Sequence, residues 1–226
     1  MTIVSAGPFS PPADWTVADL LEHVGGVSSE RVRVVPAPGT ATERDMLEAE
    51  SRTGGICELI DGVLVEKPVG WYESVLAVAL ARFVGNYLDR QPLGVVSGEA
   101  GFLRTVSGRI RAPDVAFVTW QRMGAHSPRR QKILPVAPDL AVEILSESNT
   151  PAEMERKLSE YFAAGVRLVW YVDCSTQTAK SFTAPDRCEP IPADGMLTGG
   201  DVLPGFELAL RTLFAAADNA ASSGES

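Results

Sequence analysis

Leu140-Ala141-Val142-Glu143-Ile144-Leu145 is apolar on both of its alternating sets, with Leu140, Val142 and Ile144 on one side and Ala141 and Leu145 on the other. A strand of that pattern is covered on both faces, as in a central sheet flanked by helices. Glu143 stands in the middle of it. A carboxylate there loses its hydration, so it must be paired, hydrogen-bonded, protonated or bound to a metal. Arg111-Ala112-Pro113-Asp114-Val115-Ala116-Phe117-Val118 repeats the situation, with Asp114 inside a second run that reads as a buried strand. Two such acids on adjacent strands, followed by a lysine on the next helix, are the parts of a metal-dependent phosphodiesterase site.

Working outward, Thr150-Pro151-Ala152-Glu153 has the form of a capping box with proline at the first helical position, and Gly165 is the expected stop. Met154, Leu158, Tyr161 and Phe162 form the buried stripe of that helix. Residues 166–172 and 178–182 then read as a hairpin turning at 173–176. Upstream, residues 57–67 are two apolar runs around Asp61-Gly62, the pair a type I′ turn requires. Residues 72–88 read as a helix nearly apolar all round, and 93–97 and 101–105 as strands. Residues 1–50 are set apart as an N-terminal extension, with helices expected at 16–24 and 42–51 and a strand at 31–35. The main domain spans 51–214, and 215–226 is a small, polar, fraying tail.

The chain of 226 residues carries a net charge of -9, which opposes general affinity for nucleic acid. The charge is uneven, however. Between Arg104 and Lys132 lie Arg104, Arg109, Arg111, Arg122, Arg129, Arg130 and Lys132 against the single acid Asp114, a local excess of +6. A solvated loop accounts for such a run taken alone; beside a candidate metal acid, a phosphate-steering surface is an equal reading. Three scattered cysteines without a CxxC suit a reducing cytoplasm, and two histidines make a histidine-rich zinc site improbable. Residues 1–15 lack the basic start and apolar core of a signal peptide, and the longest apolar stretch, 75–81, is too short to span a bilayer.

The position two after Glu143, which shares its face, is Leu145 rather than lysine. Lys157, on the following helix, flanks the buried stripe and can reach back over the strand end; the alternative is a lysine snorkelling over apolar surface. Glu143 could instead pair with an arginine such as Arg111, although buried ion pairs seldom add net stability. Glu73 is either an N-terminal dipole partner of its helix or a third acid of the site. Glu58 reads more readily as a structural partner than as a neighbour of the site. Two ionised buried acids also repel, so removing one is expected to relieve the metal-free protein.

Glu58-Leu59-Ile60-Asp61-Gly62, Pro113-Asp114-Val115, Val142-Glu143-Ile144-Leu145-Ser146, and Lys157 with Tyr161, Gly165, Val166 and Trp170 together resemble the Uma-two family. That family is assigned to the PD-(D/E)xK, restriction-endonuclease-like nuclease superfamily. The resemblance runs from about residue 57 to 173, and loosely to Asp201-Val202-Leu203-Pro204-Gly205-Phe206. It implies that Asp114 and Glu143 are the metal-binding acids, Lys157 the lysine shifted onto the helix, and Glu73 the acid of the first core helix. Many members have histidine near the start of that helix, where this chain has Trp71-Tyr72-Glu73.

The expected fold is α/β, a restriction-endonuclease-like mixed central sheet flanked by helices and entered through an N-terminal β-hairpin. The expected reaction is Mg²⁺-dependent hydrolysis of DNA phosphodiesters, with Mn²⁺ as a substitute ion. Asp114, Glu143 and the Ile144 carbonyl would hold the metal, Lys157 would act on the water or the transition state, and Arg109, Arg111, Arg129, Arg130 and Lys132 would contact DNA. DNA is the expected partner, a homodimer is an open assembly, and no organic cofactor or membrane is implied. The rival is a nuclease-fold module with a weak or dead site that acts by binding DNA or protein. No GxSxG, P-loop, GxGxxG or HExxH supports another enzyme class.

Overall fold

Two sheets meet at Pro113. The computed structural model describes residues 11–68, 70–106, 108–124 and 131–219 of the chain. The larger sheet contains β3 (Gly94–Gly98), β6 (Val115–Thr119), β7 (Leu140–Leu145), β8 (Leu168–Asp173), β9 (Thr178–Ala184) and β10 (Arg187–Ile191) in the order β10-β9-β8-β7-β6-β3. β7 and β8 are parallel neighbours, and the remaining pairs are antiparallel. The smaller sheet contains β1 (Cys57–Ile60), β2 (Val63–Glu66), β4 (Leu103–Arg104) and β5 (Arg109–Arg111) in the antiparallel order β2-β1-β5-β4. A two-stranded ribbon, β11 (Met196–Thr198) with β12 (Glu207–Ala209), completes the strands.

Local chemistry accounts for most of these elements. Thr16 and Thr42 each close a full capping box, starting α1 (Val17–His23) and α2 (Glu43–Thr53). Asp61 (φ 50°) and Gly62 (φ 75°) both take the left-handed conformation of a type I′ turn. Gly62 is required twice over, since a Cβ there would lie 2.5 Å from the Gly39 carbonyl. α3 (Trp71–Leu88) forms as expected, yet it is not buried all round as its apolar sequence suggests, since Trp71 and Val78 are exposed; a single turn, α4 (Trp120–Met123), follows β6. α5 (Pro151–Ala163) starts with the Thr150 hydroxyl accepting from Glu153 N at 3.1 Å. The return half of that capping box is missing, because the Glu153 carboxylate turns to Arg31 instead.

α3 and α6 (Leu210–Asn219) cover one face of the larger sheet, with Leu76, Leu80 and Leu213 against Phe117, Val142 and Trp170. α5 covers the other, with Met154, Leu158 and Tyr161 against Ala141, Val169 and Tyr171. Fully burying each such side chain contributes about 1.5–3 kcal/mol. Glu143 shares the Ala141 face, so it points toward α5. The mixed sheet with helices on both faces is the architecture read from the apolar strands.

Three elements differ from expectation. The run 111–118 is not one strand: β5 ends at Arg111 in the small sheet and β6 begins at Val115 in the large one. Pro113 cannot donate to a ladder, and the chain changes sheets there. Residues 31–35 form no strand; a 3-10 turn at Ser29–Arg31 leads to one isolated bridge from Val32 to Val65, while Val34 and Val35 are exposed. The segment from 215 is helical to Asn219, with Ala217 buried, because α6 continues its packing on α3. Residues 11–50 also reach into the rest of the chain. Ala41, Met46 and Ala49 pack on Cys57, Leu59 and Ile110, and Arg31 crosses to Glu153 on α5.

Candidate active site

Asp114 lies just before β6, at the crossing between the two sheets. It directly precedes Val115, which pairs with Val142 in the antiparallel register. Its Oδ2 accepts the backbone N–H of Ile144 at 2.5 Å, which pins the carboxylate to the edge of β7. Its Oδ1 meets the Lys67 ammonium at 2.7 Å, and that ammonium also donates to the Ala112 carbonyl at 2.5 Å. Glu143 is 3% exposed. Its two oxygens accept from Lys157 Nζ at 3.0 Å and from the Tyr161 hydroxyl at 2.5 Å. Burial pushes the Glu143 carboxyl up, with Asp114 and Glu58 adding to the shift, while Lys157 and Lys67 oppose it.

Lys157 does not snorkel; its ammonium is buried between Glu143 at 3.0 Å and Glu58 at 3.6 Å. Burial opposes its charge, but those two carboxylates outweigh burial and hold the ammonium form. Glu58 is correspondingly acidic. Burial alone would raise it, yet Lys157, Arg111 and Lys67 bring it down to about 2. Behind it Arg111 donates to Glu58 at 2.7 Å and to Glu160 at 2.8 and 2.5 Å. Arg109 bridges Glu160 and Asp61, and Arg156 joins the same two acids. A continuous lattice of ion pairs therefore backs Glu143, while Asp114 is held separately by Lys67.

Asp114, Glu143, Ile144 and Lys157 line one cavity of about 20 Å³, together with Glu73, Glu99, Lys67 and Arg31. That volume holds about one water-sized particle. Glu73, in the first turn of α3, reaches this wall while its carboxylate lies against Gly70, so both roles read for it are compatible with its position. A groove of about 1090 Å³ opens beside the cavity and shares Pro68, Glu73, Ser146 and Asn149 with it. Its other ionisable walls include Glu147, Glu155, Asp173 and Lys180, an acidic balance. Among the described residues, no group of three or more His, Cys, Asp or Glu side chains is arranged as a ready cation site.

The arginine surface read from the sequence is largely not a surface. Arg111 is 1% exposed and fully engaged with Glu58 and Glu160, so it is not placed to touch a phosphate, and it does not pair with Glu143. Arg109 is likewise taken up by Asp61 and Glu160. Arg104 pairs with Glu43 and Arg122 with Asp139, so the excess of positive charge along the sequence is met by acids from elsewhere. Lys132 is exposed beside a separate cavity of about 150 Å³ lined by Val95, Phe102 and Met123. Arg129 and Arg130 lie outside the described residues. The repulsion expected between the two acids is also offset, since each has its own lysine.

Sequence reasoning passed over Lys67, Tyr161 as a polar group, and Glu99. A signal for Lys67 existed: along β2 it continues the alternation of Val63 and Val65, the face that Glu58 occupies across the hairpin.

These positions belong to a known pattern. Residues 44–211 match the model of Uma2, described as "Putative restriction endonuclease". The chain belongs to the Uma2 family. Among solved structures it is similar to "a putative nuclease belonging to DUF820 from Anabaena variabilis ATCC 29413", with a TM-score of 0.65 at 19% identity. The match covers 73% of this chain and 93% of that one. At such identity the likeness concerns the fold. No curated protein matches the chain. Family membership marks this Uma2 chain as a restriction-endonuclease-like nuclease, and the likeness to the solved structure bears on its fold. Among the described residues, no helix is long and apolar enough to cross a membrane.

Proposed function

We propose that this chain is a Mg²⁺-dependent endonuclease that hydrolyses DNA phosphodiester bonds, with Mn²⁺ able to replace Mg²⁺. The observation that carries this reading is the cavity Asp114 and Glu143 share, with Asp114 tied to the β7 backbone at Ile144 N–H and a buried lysine ammonium on Glu143. The donor set fits a hard divalent ion: two carboxylates and the Ile144 carbonyl are all oxygen, and the cavity admits one particle. When bound, such an ion supplies Lewis acidity toward a phosphoryl oxygen and lowers the pKa of water.

The chain's own residues do the rest. Ile144 N–H fixes Asp114 Oδ2, and Oδ1, paired with Lys67 at 2.7 Å, is the oxygen left for an ion. The Tyr161 hydroxyl, its pKa raised by burial and by Glu143, stays protonated and orients Glu143 as a donor. Lys157, held as an ammonium, stabilises negative charge that builds on the phosphate in the transition state, rather than removing a proton from water. Glu58 keeps Lys157 charged and aimed. The second reading, a nuclease-fold module that binds without cutting, is favoured by the acidic groove and by the lysines already neutralising both acids.

Cleavage of single-stranded, duplex and branched DNA is measured with and without Mg²⁺ or Mn²⁺ for the wild type and for Asp114→Asn, Glu143→Gln and Lys157→Ala. Metal-dependent cleavage is expected in the wild type. The two acid variants lose metal binding, while Lys157→Ala keeps metal and DNA binding and loses most of the rate. DNA binding by the wild type without cleavage under any metal condition would move the reading to the binding module.

A further inference from the structure

Lys67 is a second buried cation of the site, beside Lys157. Its side chain is 6% exposed, and both of its polar contacts fall on the three-residue link between the sheets: Asp114 Oδ1 at 2.7 Å and the Ala112 carbonyl at 2.5 Å. Asp114 Oδ2 is already committed to Ile144 N–H, so Oδ1 is the oxygen left to face a metal ion, and the ammonium sits on it. Lys157 differs. It is rooted in α5 and shared between two carboxylates, Glu143 and Glu58. Lys67 leaves the end of β2 into the loop before α3 and holds a single carboxylate.

We propose that the Lys67 ammonium is a tethered stand-in for a divalent cation at Asp114, which must move off Oδ1 before the ion binds and which thereby sets the metal affinity of the site. This rests on the reading of Asp114 and Glu143 as metal acids. A carboxylate buried without a counter-charge is costly, so the metal-free protein gains from an internal cation. A divalent ion arriving at the same oxygen repels the ammonium at close range, where little water screens them. The displaced group has nearby partners, because Glu73 and Glu99 line the same cavity. Lys67 is thus a positioning residue that keeps Asp114 ordered when empty and yields it when loaded.

Mn²⁺ binding to the full-length chain is measured by calorimetry for the wild type, Lys67→Gln and Lys67→Arg, with thermal melting of each protein with and without saturating Mn²⁺. Lys67→Gln, which keeps a donor toward Ala112 but no charge, is expected to bind Mn²⁺ about 10–100-fold more tightly, the range over which groups behind metal ligands alter affinity. Lys67→Arg restores weak binding. The metal-free Lys67→Gln protein melts lower than the wild type, and Mn²⁺ raises its melting temperature by more. Equal Mn²⁺ affinity in wild type and Lys67→Gln overturns the stand-in role while leaving the metal site intact. Binding by neither protein overturns the metal site itself and this inference with it. Binding by Lys67→Gln alone supports the competition in its strongest form.

Discussion

Replacing Arg111 by Met separates a structural arginine from a DNA-contacting one. The guanidinium is buried and makes three hydrogen bonds, from Nε and Nη2 to Glu160 and from Nη1 to Glu58. Methionine keeps much of the volume and removes the charge. Two buried carboxylates are then left with reduced company. Glu58 retains Ala112 N–H at 3.1 Å and Lys157 at 3.6 Å, and Glu160 retains Arg156 at 2.7 Å and Arg109 at 3.0 Å. Removing one member of a buried pair costs about 3–5 kcal/mol. The surviving partners place this case near the lower end, about 3 kcal/mol. For a chain of this length each kcal/mol moves the melting temperature by about 2–4 °C, so a fall of about 6–12 °C is expected by circular dichroism. Arg111→Met combined with Glu160→Gln should lose less than the two single losses added together, because the second change removes an acid the first left stranded. DNA affinity measured across salt concentrations should keep its slope in Arg111→Met. A variant that melts within about 1 °C of the wild type and flattens the salt slope by about one unit would refute the structural assignment and return Arg111 to the phosphate backbone.

Glu58 makes the protein acid-sensitive. Its folded-state value of about 2 lies below its ordinary 4.5, so the stability it contributes is present above about pH 4.5 and is lost as the pH falls toward 2. Urea melts between pH 7 and pH 3 should show that loss, and a Glu58→Gln protein with the same acid slope would contradict it. Glu143 works in the other direction: raised by burial, its contribution is full below 4.5 and declines as the pH rises through its folded value. Neutralising Arg129, Arg130 and Lys132 together should weaken DNA binding and flatten its salt slope by up to about three units with little change in melting temperature. Unchanged affinity and slope would take that segment out of the interface.

Much of the architecture was legible because it is enforced by neighbours in the chain. The Asp61-Gly62 turn follows from which residues tolerate positive φ, and the helix starts at Thr16, Thr42 and Thr150 follow from side chains that satisfy nearby N–H groups. The two-sided apolarity of 140–145 declared a covered strand, and it made Glu143 conspicuous. Asp114 was found in the same way, although the strand assigned to it was not. Pro113 forbids a ladder hydrogen bond locally, but only the packing of two sheets decides that the chain crosses there.

The partners of the buried charges could not be read in this manner. Lys67 meets Asp114 across 47 positions and Arg111 meets Glu160 across 49. No short-range rule says which base will reach which acid. The arginines from 104 to 122 looked like a phosphate surface because their counter-ions, Glu43, Asp61, Glu160 and Asp139, lie outside that run. Backbone conformation answers to local sterics and local hydrogen bonds, so sequence determines it at short range. A desolvated charge answers to whatever group the fold brings within about 3 Å, so its role is decided only when the sheets and helices have packed.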